Sequence, residues 1–301
     1  MNNLEGLVSV IITTYKRSFD TLSKAINSVL TQTYNNLELI IVDDNPEKSS
    51  HKVDIQSNLK ALNDNRVNYI QHENNQGACV ARNTGINNSR GNYIAFLDDD
   101  DEWLPNKLEY QIRKFSDEKV GLVYCFAYII TIKDNKQISK NVISNRVSGM
   151  VYDKLIEKNF IGSTSFVILK KEALDQCGYF NNDLKSSQDY DLWLRISKGY
   201  KVNYVDIPLV NYYIHEGERI SENVDNKIQG KEKINELNID YLKLHPIIHS
   251  KRKLTVVPFY AVKYGCKFAM KKWWEAVKIY PYHSAILKNL VKLILYSFRS
   301  I

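Results

Sequence analysis

The first hundred residues alternate short apolar segments with segments of helical periodicity, and this alternation limits the possible folds more than any other feature. Residues 7–12 and 37–42 are almost continuously apolar, which is typical of strands buried on both faces of a parallel sheet. Between them, residues 22–30 place apolar side chains at the spacing of one helix face. The repeated pattern predicts an α/β domain with a Rossmann-like, mostly parallel central sheet and flanking helices.

Strand patterns continue through most of the chain and then give way to helical patterns alone. The clearest helical stretches of this last part are residues 231–244 and 259–279, with Pro281 as a break. We therefore predict an α/β domain at residues 1–225 and a basic, helical C-terminal region at residues 226–301.

Polar residues directly follow three of the predicted strands. Thr13 follows the first strand, and Asp43 and Asp44 end the second. The run Asp98–Asp101 follows a further predicted strand, residues 93–97, the fourth along the chain after one at residues 67–70. In open α/β sheets, ligands bind outside the carboxyl ends of the strands. The sequence therefore predicts a ligand site at this edge of the sheet.

The four successive aspartates Asp98–Asp101 predict a metal site. Their mutual repulsion at the end of an apolar strand is unfavourable unless a cation compensates for it. Carboxylate oxygens suit Mg²⁺ or Mn²⁺, and such an ion would also bridge a diphosphate. A solvated acidic turn is the alternative.

Six short motifs occur in order along residues 7–215. They are VSVIITTY from Val8 to Tyr15, VDDN from Val42 to Asn45, NQG from Asn75 to Gly77, ARN from Ala81 to Asn83, DDDDEW from Asp98 to Trp103 and SQDYDLWLR from Ser187 to Arg195. In order and spacing, they resemble the motifs of the family 2 glycosyltransferases. This resemblance implies the GT-A fold and the class of hexosyltransferases.

The resemblance implies an inverting transfer of a sugar from a nucleotide-diphospho-sugar, expected to be a UDP-sugar. The acceptor would be a hydroxyl of a glycan or a lipid-linked glycan in the synthesis of a cell-surface polysaccharide. Residues 1–101 would form the donor half of the catalytic domain, and residues 102–225 the acceptor half.

The resemblance also implies roles for particular residues. Residues expected to bind the donor are Thr13, Tyr15, Arg17, Asp44, Gln76, Arg82, Asp98 and Asp99, and those expected to bind the metal, Mn²⁺ or Mg²⁺, are Asp100 and His215. Thr13, Tyr15 and Asp44 would hold the nucleoside, and Asp98 and Asp99 would face the ribose or the diphosphate. Two alternatives stay open: Arg82 as a surface or salt-bridging residue, and His215 as a loop histidine.

Asp189 is the expected general base, because in the family an acid at this position, six residues before an arginine, deprotonates the acceptor hydroxyl. Its usual glutamate neighbour is replaced here by Gln188. Asp191 competes for the role, and its alternative is to cap the first turn of the same helix. Trp103 and Trp193 are left unassigned between sugar stacking and the core.

The C-terminal region carries the basic charge of the chain. Residues 251–301 contain eleven Lys or Arg against one acid, a net charge of +10, which leaves −3 of the total +7 for residues 1–250. Residues 284–298 repeat apolar side chains among lysines, over less than the about 20 residues that span a bilayer. We expect this tail to bind an anionic membrane surface. The alternative is packing against the catalytic domain or a second subunit of a homo-oligomer.

The distribution of charge argues against nucleic acid as a partner, because a nucleic-acid-binding domain carries its basic charge on the folded core. Four cysteines without a CxxC pair predict neither disulfides nor zinc and favour a reducing compartment. Residues 1–5 lead directly into a strand pattern without a secretory signal. We expect a cytoplasmic protein, peripherally associated with the inner face of the plasma membrane.

Three other functions are less consistent with the sequence. A sugar nucleotidyltransferase would open with a glycine-rich basic loop, which Lys16-Arg17 does not resemble. A non-catalytic module that binds sugar nucleotides would not need the intact set of Asp44, Asp100 and Asp189. A dehydrogenase would carry GxGxxG after the first strand, and the chain has none there.

Overall fold

The computed structural model describes residues 6–134, 136–215 and 223–299. These residues form two compact units. The first comprises residues 6–152, 159–180 and 192–215, and the second comprises residues 153–158, 181–191 and 223–299. The functional boundary expected near residue 225 stays a prediction.

A nine-stranded sheet runs through the first unit as described. Its strands are β1 (Val8–Thr14), β2 (Leu37–Asp43), β3 (Val67–Gln71), β4 (Tyr93–Asp98), β5 (Glu102–Trp103), β6 (Val120–Lys133), β7 (Lys136–Ile143), β8 (Val167–Lys170) and β9 (Lys201–His215). The order is β3-β2-β1-β4-β8-β6-β9-β5, and β7 pairs with β6. Strands β3, β2, β1 and β4 are parallel, as the βαβ pattern predicts. Beyond β4 the sheet is mixed, because β8 is antiparallel to both its neighbours.

The described residues up to residue 199 form seven α-helices. They are α1 (Phe19–Leu30), α2 (Ser50–Leu62), α3 (Ala78–Asn87), α4 (Lys107–Ile112), α5 (Tyr152–Glu157), α6 (Lys171–Cys177) and α7 (Gln188–Gly199), with 3₁₀ turns at Arg113–Phe115 and Thr164–Phe166. On α1, Leu22, Ala25, Ile26 and Val29 share one face and are buried in one cluster with strand residues such as Ile12. Burial of this apolar face, rather than helix propensity alone, stabilises α1 against the sheet.

Lys107 is a basic residue in the core of the first unit. Its side chain is fully buried, and its Nζ atom lies 3.8 Å from the centre of the Trp103 ring. Burial lowers the pKa of Lys107 to about 8, although the nearby Cys125 opposes this shift. The Trp103 indole is 3% exposed and donates its N–H to the Ser165 carbonyl at 2.9 Å. Trp103 is therefore a core residue.

Helices alone make up residues 223–299 of the second unit, the described part of its C-terminal segment. They are α8 (Val224–Leu237), α9 (Ile239–Leu244), α10 (Pro246–Leu254), α11 (Val257–Tyr264), α12 (Cys266–Ile279) and α13 (Ser284–Arg299). The helical stretch predicted over residues 259–279 consists of two helices, because Gly265 adopts a φ of +81° and separates α11 from α12. A second apolar cluster, which includes Leu254, Val257, Trp273 and Leu293, packs these helices together.

Several basic side chains of the tail form ion pairs within the second unit. Four lysines form ion pairs there: Lys251 with Glu157, Lys253 with Glu232, Lys263 with Asp225 and Lys272 with Glu275. Arg252 is only 3% exposed. The net charge of +10 therefore overstates the positive surface of this region. No described helix has both the length and the hydropathy that crossing a membrane requires.

Candidate active site

The carboxyl ends of three parallel strands meet at one edge of the sheet. Strand β1 lies between β2 and β4, and the register sets Thr14 beside Asp43 and Thr13 beside Asp98. Polar residues that are about 30 and 85 positions apart in the sequence thus become neighbours. This is the edge where ligands of open α/β sheets bind.

Two arginines lie against the acidic run. Arg17 donates from Nε to Asp99 at 3.0 Å and from Nη2 to Asp100 at 2.9 Å. Arg82 donates from Nη2 to Asp98 at 3.0 Å. The expectation that a metal alone offsets the repulsion of the four aspartates is therefore incomplete, because two guanidinium groups already compensate for part of it.

Asp99 is the aspartate that faces β1. Its carboxylate accepts a hydrogen bond from the Thr14 hydroxyl at 2.8 Å in addition to that from Arg17, and the residue is 8% exposed. Burial raises the pKa of Asp99 to about 6, with Arg17 opposing and Asp100 reinforcing the shift. Asp99 therefore depends on its two hydrogen-bond donors to stay ionised near neutral pH.

Asp98 and Arg82 form a pair that is only partly open to solvent, with side-chain exposures of 31% and 13%. The Arg82 guanidinium also lies 5.4 Å from the centre of the Phe180 ring. The neighbouring Asn83 makes two hydrogen bonds with the backbone of Phe180, at 2.9 and 3.0 Å. Asn83 of the ARN motif thus fixes the position of the Phe180 ring, against which Arg82 packs. Because Arg82 pairs with Asp98, it is a salt-bridging residue at the predicted donor edge.

Asp101 points into the protein. It is 1% exposed, and it accepts hydrogen bonds from the Ser165 hydroxyl at 2.7 Å and from the Tyr213 backbone N–H at 3.1 Å. Burial raises the pKa of Asp101 well above its usual range, and the charge of Asp98 adds to the effect. Asp101 therefore anchors the acidic turn and does not face a ligand.

The carboxylates at this edge could supply only some of the ligands of a metal ion. Among the described residues, no three His, Cys, Asp or Glu side chains converge to form a metal site. Asp100 has a side chain that is 27% exposed at the strand-end edge. Mg²⁺ is commonly bound through one or two carboxylates together with substrate phosphates and water. The arrangement therefore fits an ion that arrives with a diphosphate.

Asp44 is buried, and protein groups surround its carboxylate. Oδ1 accepts from the Gln76 backbone N–H at 2.9 Å and lies 2.8 Å from Nδ1 of His72. Oδ2 accepts from the Gly77 backbone N–H at 2.9 Å, where Gly77 has a φ of +89°. Asp44 thus fixes the backbone of the NQG loop before α3. The position of Asp44 after β2 in the sequence does not predict this contact.

Three further predicted donor residues lie at the same edge of the first unit. Thr13 is half-buried beside Asp98, Tyr15 is 40% exposed and Gln76 is exposed. Lys16, which follows Tyr15, has a φ of +53° and donates its backbone N–H to the Asn45 side chain at 2.8 Å. This bond holds the turn after β1, so Tyr15 is presented to solvent from a fixed backbone.

Asp189 lies in the first turn of α7 and belongs to the second unit. Its side chain is half-buried, whereas Asp191 is only 3% exposed. Asp189 accepts the Tyr190 backbone N–H at 2.7 Å. Arg195, the last residue of its motif, donates to the backbone carbonyls of residues 177, 178 and 179 in the first unit. The arginine therefore caps the end of α6.

Two further residues that the sequence singles out are His215 and Trp193. The side chain of His215, at the end of β9, lies outside the described part of the structure, so its role as a metal ligand stays a prediction. Trp193 is fully buried, and its indole N–H donates to the Gly162 carbonyl at 3.3 Å. Trp193 is therefore a core residue.

Sequence reasoning missed the hydroxyl groups that surround the acidic run. Thr14, rather than Thr13, bonds to Asp99. Thr164 donates to Asp98 at 3.1 Å, and Ser165 bonds to both the Asp98 backbone and the Asp101 carboxylate. The STS tripeptide before β8 was the available signal, but nothing in the sequence placed β8 beside β4.

Known proteins are similar in sequence to about two thirds of this chain. The family described as glycosyl transferase family 2 matches residues 9–178, more than half of the chain. An Escherichia coli (strain K12) protein named for colanic acid biosynthesis, WcaA, is 36% identical over 200 residues, which cover 63% of this chain and 66% of WcaA, just under two thirds. An Escherichia coli UDP-Glc:alpha-D-GlcNAc-diphosphoundecaprenol beta-1,3-glucosyltransferase, WfgD, is 32% identical over 66% of this chain and 73% of its own length.

A solved structure shares the fold. The Staphylococcus aureus TarS fragment 1-349, in complex with UDP-GlcNAc, aligns with a TM-score of 0.62 and 18% identity over 90% of this chain and 79% of that chain. The longer TarS chain aligns with a TM-score of 0.65 and 15% identity over 91% of this chain and 49% of that chain. The predicted GT-A type of α/β fold with a helical C-terminal extension is thereby confirmed. The order of its motifs, the sequence match and the fold agree, and the chain belongs to glycosyl transferase family 2.

Proposed function

We propose that this protein transfers a sugar, with inversion, from a nucleotide-diphospho-sugar to a hydroxyl of a glycan or lipid-linked glycan during synthesis of a cell-surface polysaccharide. The observation that carries the proposal is the acidic run at the edge where β1, β2 and β4 end. There Arg17 contacts Asp99 and Asp100, and Arg82 contacts Asp98. The chain also belongs to a family of glycosyl transferases. The names of WcaA and WfgD support the acceptor class.

The donor is proposed to be a UDP-sugar. The complex of TarS with UDP-GlcNAc and the UDP-glucose named for WfgD support uracil as the base. Thr13, Tyr15 and Asp44 would hold the nucleoside, and Asp44 would also fix the loop that presents Gln76. The partly exposed Asp98 and the buried Asp99 would face the ribose and the diphosphate, with Arg82 beside them.

A divalent ion, Mg²⁺ or Mn²⁺, would be held by Asp100 together with the oxygens of the diphosphate. When bound, it neutralises charge on the departing nucleoside diphosphate. Arg17 contacts Asp100 where the ion would bind, and it is retained as a proposed donor-binding residue. His215 is retained as a proposed further ligand.

Asp189 would act as the general base. The carboxylate takes the proton of the acceptor hydroxyl, the acceptor oxygen forms a bond to the anomeric carbon, and the bond from that carbon to the phosphate oxygen breaks with its electron pair leaving on the nucleoside diphosphate. One displacement of this kind inverts the configuration. The half-buried position of Asp189 supports this role over the buried Asp191.

A donor screen tests the proposal. The purified full chain is incubated with UDP-, GDP- and dTDP-sugars and Mn²⁺, with and without lipid-linked glycan acceptors, and release of the nucleoside diphosphate is measured. We expect turnover of at least one UDP-sugar, loss of that turnover with a chelator and recovery with added Mn²⁺ or Mg²⁺. Failure to turn over any of the donors would contradict the proposed function.

The second unit is proposed to bind an anionic membrane surface through α13. Leu287, Val291 and Ile294 stand at the spacing of one helix face and are 66%, 48% and 45% exposed. Lys288 and Lys292 lie beside this face, exposed and without an ion pair among the described residues. An apolar face flanked by lysines is typical of a helix in the headgroup layer. Such binding would place the enzyme at a lipid-linked acceptor.

Replacing Leu287 and Val291 together with glutamate should abolish binding to phosphatidylglycerol vesicles. Each buried leucine or valine contributes about 1.5–3 kcal/mol, so we expect the bound fraction in flotation to fall at least about tenfold. Val53→Glu, at a 63% exposed position of α2, is the matched control and should float like the wild type. Undiminished flotation of the double variant would refute the anchor. A change in oligomeric state instead would identify this face as a subunit contact.

A further inference from the structure

The segment that leads into Asp189 rests on α8 within the second unit. Gly230 of α8 lies so close that a Cβ atom added to it would be 2.6 Å from the carbonyl oxygen of Ser186 and 3.0 Å from its carbonyl carbon. Side chains do not approach backbone oxygens this closely, so only glycine permits the contact. The backbone just before α7 is therefore in direct contact with the C-terminal helices.

The turn into α7 is strained and needs such support. Ser187 has a φ of +62°, in the left-handed region, which costs a non-glycine residue about 1 kcal/mol or more. Its carbonyl oxygen accepts the backbone N–H of Asp191 at 3.0 Å, which begins the helix. The position of the first turn of α7 thus depends on the contacts around it.

Arg252 of α10 supplies one of these contacts. Its guanidinium is buried, donates from Nε to the Asn235 side chain at 2.9 Å, and donates from Nη1 to the hydroxyl of Tyr190 at 3.2 Å. The Tyr190 hydroxyl in turn donates to the Leu155 carbonyl at 2.7 Å. Burial raises the pKa of Tyr190 to about 12, which keeps the hydroxyl protonated and able to both accept and donate.

Tyr190 connects this network to Asp189. The Tyr190 backbone N–H donates to the Asp189 carboxylate at 2.7 Å. The Tyr190 side chain is 6% exposed, and its hydroxyl is hydrogen-bonded to Arg252 and to the Leu155 carbonyl. A shift of the ring would move the backbone group that orients the carboxylate. A general base works only within hydrogen-bond reach of the proton it removes, and small misplacements lower the rate strongly.

We propose that Arg252 is a positioning residue, which acts through Tyr190 to hold the Asp189 carboxylate in the orientation that receives the acceptor proton. This inference rests on the proposed function and on Asp189 as the base. It gives the C-terminal helices a part in sugar transfer itself, separate from membrane binding.

Tyr190→Phe and Arg252→Met test the inference in transfer assays on the full chain. We expect both to lower kcat about tenfold or more while the KM for the donor stays near the wild-type value, because the base is displaced and the donor edge is not. Arg252→Lys should recover part of the loss, since an ammonium can still donate one hydrogen bond to the Tyr190 hydroxyl.

Ser250→Ala is the matched control. Ser250 lies on the same helix as Arg252, is fully buried and donates to the Ala276 carbonyl at 2.7 Å, and it has no hydrogen bond to Tyr190 in the described structure. It should lower the melting temperature and leave kcat unchanged. Wild-type kcat in both Tyr190→Phe and Arg252→Met, or an equal fall in Ser250→Ala, would overturn the inference. Absence of transfer by the wild type, or full activity of Asp189→Asn, would instead refute the proposed function or its base.

Discussion

Asp189→Asn is expected to lower kcat for sugar transfer about 10³-fold and to leave the Kd of the donor within about twofold of the wild-type value. Asparagine has nearly the same shape, and its carbonyl oxygen can still accept the Tyr190 N–H, so the first turn of α7 is retained. It cannot take a proton from the acceptor hydroxyl. A loss of this size corresponds to about 4 kcal/mol of transition-state stabilisation. Steady-state transfer kinetics and calorimetric titration with the donor measure the two quantities separately.

Two further aspartate variants make this result specific. Asp183→Asn removes an exposed charge from the same segment and should be indistinguishable from the wild type. Asp191→Asn changes a carboxylate that is 3% exposed, so we expect lower stability and a kcat close to that of the wild type. If Asp191→Asn lost kcat and Asp189→Asn kept it, Asp191 would be the base.

Asp100→Asn is expected to have the second largest effect, a fall of about 10²-fold in metal-dependent turnover, equivalent to about 3 kcal/mol. The amide is a weaker ligand for a hard cation than the carboxylate it replaces. Arg17 retains its bond to Asp99, so the acidic turn should stay folded. Mn²⁺ titrations of donor hydrolysis, followed by circular dichroism of the same samples, separate loss of metal from loss of structure.

Asp64→Asn is a matched control for Asp100→Asn, because Asp64 also pairs with an arginine, Arg66, but lies in the loop before β3. It should leave the Mn²⁺ dependence unchanged. A wild-type enzyme with equal turnover in the presence of a chelator would rule out Asp100 as a metal ligand. In that case Arg17 and Arg82 would be the cations that face the diphosphate.

The edge of the sheet where β1, β2 and β4 end could be predicted because it follows from local patterns. Continuous apolar segments separated by helical ones predict parallel strands, and parallel strands bring their carboxyl ends together. The motif resemblance then assigned the family, which the comparisons confirmed. The roles of Asp100 and Asp189 follow from that resemblance and stay predictions.

The partners of the acidic run could not be predicted in the same way. Arg17 and Asp99 are 82 positions apart, and Ser165 and Asp101 are 64 apart. Such pairs depend on which strands become neighbours, and the insertion of β8 between β4 and β6 leaves no periodic signal. The acidic run by itself predicts a metal, whereas its compensation by Arg17 and Arg82 is visible only in the tertiary structure.

The C-terminal region shows the same division between sequence and structure. Its charge of +10 can be counted in the sequence and favours an anionic surface. Only the tertiary structure decides that Arg252 is buried against Tyr190 and that Lys251 pairs with Glu157, because burial depends on contacts between helices distant in the chain. The sequence by itself determined the alternation of strands and helices in the first hundred residues, the family and the acidic motif, since these are local patterns. The tertiary structure decided which charges face each other and which face solvent, because long-range packing sets both.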